Sequence, residues 1–146
     1  MARMSGMAAR ILALLVVAGA AAPAGEAGEA GDAGAGRELY WRYCSACHGE
    51  RADGMGPMRP VLTVKPANLT RLAAGNGGVF PLARVIARID GRDPMIAHGS
   101  EMPVYGDFFL EGGSVTLSAE DGSGARIRTS GAVADLVAYL QSIQAR

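Results

Sequence analysis

Cysteine is scarce in this chain: two in 146 residues, Cys44 and Cys47. A disulfide-stapled framework needs more than one pair, and a bridge across two intervening residues would close almost no loop and stabilise little. Histidine is equally scarce, with only His48 and His98. A structural zinc site needs four nitrogen or sulfur ligands, and His48, directly after Cys47, is poorly placed to join the same tetrahedron. Net charge is also missing, since 14 basic residues meet 14 acidic ones. Nothing in that balance points to nucleic acid. There is no internal repeat, and no apolar run long enough to span a bilayer comfortably. Strand signals are too weak to give a thioredoxin-like dithiol its usual strand–helix setting.

The N terminus has the layout of an export signal. "MARMSGMAAR" carries Arg3 and Arg10 without an acid, "ILALLVVAGA" is a short apolar run, and small residues follow. A positive segment, an apolar segment and an A-x-A-like site make a secretory signal peptide. Ala22-Pro23-Ala24 fits that site, so residues 1–24 are expected to be removed before Gly25. An uncleaved segment acting as a membrane anchor is the alternative. Residues 25–36, "GEAGEAGDAGAG", carry no large apolar residue and are expected to form a flexible linker. Residues 37–146, about 110 in number, suffice for one small domain.

Leu39, Tyr40 and Tyr43 share one helical face and predict a helix from Gly36 to the cysteines. Residues 49–80 are rich in Gly and Pro and read as loop, with a single helical turn at 68–72. Pro81 opens "PLARVIARID", a predicted helix with Val85, Ile86 and Ile89 on its apolar face and Gly91 at its end. Val115 and Leu117 alternate with polar residues, and Ile127 follows a Gly-rich turn at 121–124, a hairpin signal near 113–129. Val133, Leu136, Val137, Leu140 and Ile143 recur at helical spacing behind Ser130, a suitable N-cap. The expected class is all-α, a few helices with a small β-hairpin insertion. So much loop leaves a thin core, and such domains usually gather around a metal, disulfides or a large cofactor.

Cys44-x-x-Cys47-His48 names that cofactor. Among zinc, dithiol, disulfide and haem, the spacing favours covalent haem. Each thiol adds to one haem vinyl group, the turn between them spans the macrocycle edge, and the next residue, His48, is delivered to the iron from the same side. Export agrees with this chemistry.

With these residues in place, the chain resembles a class I c-type cytochrome, small, mono-haem and bacterial. The resemblance covers residues 36 to about 106 and then 130–145. "GRELYWRYCSACHG" is similar to the family's N-terminal helix and "LVAYLQSI" to its C-terminal helix. It implies that the two cross with Gly36 permitting close approach of Tyr40 and Tyr139. "DGMGP" resembles the family's Gly-Pro, which implies that the Pro57 carbonyl accepts the hydrogen bond of the other His48 nitrogen and so fixes its tautomer. "EMPVYG" is similar to the family's distal Met-Pro loop and makes Met102 the second axial ligand, with Pro103 favouring an extended backbone there. Met55, Met58, Met95 and His98 are the competing candidates. Arg59, Lys65, Arg71 and Arg92 lie in the surrounding loops, available to haem propionates or to solvent, and Phe108 and Phe109 are expected in the core.

The resemblance implies a periplasmic carrier of single electrons and not an enzyme. Its cofactor would be one haem c on Cys44 and Cys47, with His48 and Met102 at the iron. Its partners would be a redox donor and acceptor met transiently, without nucleic acid, and with membrane anchoring only if the N-terminal segment is uncleaved. Two other readings stand beside it: a haem subunit of a larger dehydrogenase or oxidase complex, and a haem enzyme with a labile sixth position. One departure from compact members of the family is the intervening segment 107–129, either a docking surface or a cover for the domain's edge.

Overall fold

The computed structural model describes Met1 and residues 31–92, 102–106, 109, 113–118 and 123–145. The expected signal segment after Met1, most of the expected linker, Met95, His98 and Phe108 lie outside the described residues.

Helix α1 spans Ala33–Tyr43 and is followed at once by the four-residue turn α2, Ser45–His48. Three short 3-10 turns then interrupt the Gly/Pro-rich stretch, at Arg59–Val61, Leu69–Arg71 and Ala74–Asn76. Helix α3 is Leu82–Asp90, strand β1 is Ser114–Ser118, strand β2 is Arg126–Ser130, and helix α4 is Gly131–Ser142. The described residues are therefore helix-rich with a two-stranded antiparallel sheet, and the all-α expectation is corrected to that extent. The hairpin falls where the alternation of Val115, Leu117 and Ile127 placed it, with Ser114 opposite Ser130 and Ser118 opposite Arg126. Its apolar face covers one flank of the core: Leu117 and Thr129 are buried, and Val115 and Ile127 pack beside them.

The α1 helix begins three residues ahead of Gly36, so the last four residues of the expected linker are helical. Asp32 is the cause. Its carboxylate accepts from Gly34 N–H at 2.7 Å and Ala35 N–H at 3.2 Å, the usual office of an N-cap. Its own N–H donates to the Asp135 carboxylate at 2.7 Å, which ties the start of α1 to α4.

The two terminal helices pack most closely on each other, and the contact rests on a missing side chain. A Cβ on Gly36 would run into the Asp135 carbonyl. With glycine there, Tyr40 becomes fully buried and its ring meets Tyr139 at 5.3 Å, tilted by 47°. The crossing implied at Gly36, Tyr40 and Tyr139 is thus present. Val133, Leu136, Val137 and Leu140 from α4 complete the core with Leu82, Val85, Ile86 and Ile89 from α3. The chain end is stapled by Gln144, whose amide donates to the Leu69 and Leu140 carbonyls and accepts from Ala73 N–H.

Candidate functional site

The Cys44–His48 segment forms because α1 breaks at Cys44 and a new turn starts at once. Both Cys47 N–H and His48 N–H return to the Cys44 carbonyl, at 3.2 and 2.9 Å. A four-residue turn leaves its last carbonyls without helical donors. The loop that follows folds back to supply them. Met58 N–H reaches the Ala46 carbonyl, Gly56 N–H the Cys47 carbonyl and Gly54 N–H the His48 carbonyl, the last at 2.8 Å. Gly56 lies so close to the Cys47 carbonyl that a side chain would not fit. The Tyr40 hydroxyl donates to the Gly49 carbonyl from inside the core. Asp53 holds the loop's own shape, accepting from Met55 N–H at 3.0 Å and pairing with Arg51 at 2.9 Å. Both contacts keep its carboxyl below the ordinary range, the Met55 N–H contributing most.

Cys44 and Cys47 are both free thiols and both half-buried. Burial, and then the neighbouring Cys47, push the Cys44 thiol up to about 12, so it is held neutral. Burial likewise lowers His48 from its usual value, with a backbone hydrogen bond pulling the other way. That bond joins Nδ1 to the Ala67 carbonyl at 3.0 Å. A carbonyl only accepts, so Nδ1 carries the proton and Nε2 keeps its lone pair.

Here the expectation at Pro57 is corrected: Ala67 supplies the carbonyl, and Pro57 is exposed. Both stretches carry proline. The 66–68 stretch is held across the turn by Leu69 N–H on the Ala52 carbonyl at 2.7 Å, with Gly54 packed against the Pro66 carbonyl. Asn68, itself extended, then caps the next 3-10 turn. The signal in the sequence is "KPANL", a proline-bearing loop stretch ending in an Asn cap.

Met102 is half-buried and packs against the core. Its loop is joined to the cysteine segment by Tyr105, whose hydroxyl donates to the Tyr43 carbonyl at 3.0 Å. The same hydroxyl is raised by burial first and then by the nearby Cys44 and Cys47. The fold thus brings the Met102–Gly106 stretch and the cysteine pair into one neighbourhood from well-separated parts of the sequence. Met55 and Met58, by contrast, are exposed on the returning loop. Among the loop cations, Lys65 donates to the Arg59 and Leu62 carbonyls, and Arg92 forms a tight pair with Asp90. Phe109 is buried as expected, and Trp41 lies exposed on α1.

No family model matches the chain, no curated protein matches it, and no solved structure matches it.

The donor set can be tested against the candidate groups by its chemistry. Among the described residues no three His, Cys, Asp or Glu side chains gather as a metal-ion site would require. Two unbridged thiols next to an imidazole with an available Nε2 suit addition to two vinyl groups and ligation of a haem iron. Haem c fits these residues.

Proposed function

We propose that the protein is an exported carrier of single electrons, similar to class I c-type cytochromes, with one haem c attached through Cys44 and Cys47. The observation that carries this reading is the Cys44–His48 turn: two free thiols and a histidine whose Nδ1 is already committed to the Ala67 carbonyl. His48 and Met102 are the proposed axial ligands. When bound, the haem supplies a one-electron ferrous/ferric couple, at a higher potential with Met/His than with bis-His ligation.

The chain's own part is to position and exclude. The Ala67 carbonyl fixes the His48 tautomer and makes Nε2 the better donor. The 52–58 loop closes the carbonyls of the turn and so sets its backbone shape. The α1–α4 crossing, with Gly36 at its centre, provides a rigid base for the turn. Pinning of the Met102 loop at the Tyr43 carbonyl favours a carrier with a filled sixth position over an enzyme with an open one. Redox partners would meet such a protein through a small, short-lived interface.

The test is expression in a bacterium that attaches haem to exported proteins. Haem is expected to stay with the polypeptide after denaturation, and the ferric protein to show the near-infrared methionine–iron charge-transfer band. Loss of that band in Met102→Ala is expected. Haem that leaves on denaturation would overturn covalent attachment, and a wild type without the band would overturn Met102. Recovery only as a stoichiometric complex would favour the subunit reading.

A further inference from the structure

Tyr105 does more in this fold than fill space. Its N–H donates to the Ile89 carbonyl at 2.8 Å, which fastens the loop to the end of α3. The next residue, Gly106, sits against the Asp90 carbonyl. Its ring stacks on Phe109 at 5.3 Å with an 18° tilt and meets Tyr43 at 6.0 Å. Phe109 in turn meets Tyr43 edge-on at 5.4 Å. Three rings thus interlock loop and α1, an arrangement that adds to simple area burial.

The hydroxyl has a more specific task. Tyr43 is the last residue of α1, and its carbonyl would ordinarily receive Cys47 N–H one turn on. Cys47 N–H goes to the Cys44 carbonyl instead. The Tyr105 hydroxyl bonds to this carbonyl, immediately before Cys44, across 62 residues of sequence.

We propose that Tyr105 is the positioning residue that holds the Met102 loop against the Cys44–His48 turn, through its hydroxyl on the Tyr43 carbonyl and its ring on Phe109. This rests on the reading of Met102 as the second axial ligand. Loosening the clamp raises the population with the loop displaced, and an external ligand competes at the iron in proportion to that population.

Imidazole titration of the ferric holoprotein, followed in the visible spectrum, measures it. Tyr105→Phe removes the hydroxyl bond and keeps the ring. It is expected to retain covalent haem and to raise the apparent imidazole affinity by about two- to tenfold, the worth of one net hydrogen bond. Tyr105→Leu, which also loses the rings, is expected to raise it further and to weaken the methionine–iron band. Ser130→Ala is the control for general destabilisation, because Ser130 caps α4 through Val133 N–H; it is expected to lower the unfolding midpoint and leave imidazole affinity alone. An unchanged affinity in Tyr105→Phe, with the band present in wild type, overturns the clamp and spares the ligand reading. An equal rise in Ser130→Ala overturns it too. A wild type without the band overturns the Met102 reading and the clamp together.

Discussion

Asp53 shows how single residues shape the loop behind the cysteine turn. Its carboxyl lies below its ordinary value because the ionised form accepts Met55 N–H and pairs with Arg51. A carboxyl depressed in the fold stabilises it above the unfolded value of about 3.9, and that contribution is lost as pH falls through the folded value. Asp53→Asn keeps an oxygen for Met55 N–H and removes the charge. The variant is therefore expected to unfold at lower urea than wild type at pH 6, with the gap narrowing below about pH 4. Urea midpoints across that range measure it, and a gap independent of pH would deny the carboxylate this role. Gln144 was invisible to sequence reasoning, a polar residue near a chain end with no motif around it. Yet its side chain makes three hydrogen bonds joining the 69–73 stretch to α4. Gln144→Ala is expected to cost about 1–3 kcal/mol, the penalty for partners left unpaired, read by chemical denaturation. Cys44, Cys47 and His48 share one short motif, so the sequence alone places them side by side. Pro57 was misread because the acceptor for His48 depends on which of two proline-bearing stretches the loop brings across, and that is decided by Ala52, Gly54 and Leu69 together.

At the scale of elements, α3 and α4 were legible from apolar periodicity; the period selected most of their buried residues but missed Leu82 and Ala134, and it included Ile143, which caps α4 half-buried. The start of α1 was not, because Gly and Ala carry no pattern; the Asp32 cap and the seat on α4 decide it. The hairpin was legible as alternation, but its role as a flank of the core follows only from where α4 lies. The α1–α4 crossing makes a contrast between glycines measurable. At Gly36 a methyl group would meet the Asp135 carbonyl, and backbone cannot swing aside. Gly36→Ala is expected to destabilise by about 1–3 kcal/mol, the range for overpacking. At Gly75 a methyl group would meet nothing within 4 Å. Gly75→Ala is expected to be neutral or to stabilise by up to about 1 kcal/mol through the unfolded chain. Denaturation of the two variants side by side reads the contrast, and equal effects would mean that the crossing tolerates more separation than its geometry implies.

The molecule as a whole has two parts with different sources of order. The first is the α1–α3–α4 core, where Tyr40, Ile86, Val133, Leu136 and Val137 are almost wholly buried. The second is the irregular stretch from Gly49 to Phe80, which contributes few buried side chains and exposes Met55, Met58, Val61 and Val64. Its order rests on backbone bonds to the cysteine turn and on the His48–Ala67 contact, both of which lie at the proposed haem attachment. A covalently held group stays on the unfolded chain, so it would stabilise the fold through the ligation and packing that only the folded state makes. Removing the thiols in Cys44→Ala/Cys47→Ala is therefore expected to yield a haem-free protein whose midpoint falls by about 15 °C or more, equivalent to roughly 3 kcal/mol in a domain this small. The loss should also be uneven. Amide exchange in α1 and α4 should stay slow, since Gly36 and the Tyr40–Tyr139 contact hold them without the cofactor. Exchange at Gly54, Gly56, Met58 and Leu69, whose N–H groups clasp the turn and the Ala52 carbonyl, should rise most. Calorimetry with residue-resolved hydrogen exchange tests both statements. An unchanged midpoint would mean that the chain supplies its own order throughout, and a uniform rise in exchange would mean that the helical core and the loop unfold as one unit.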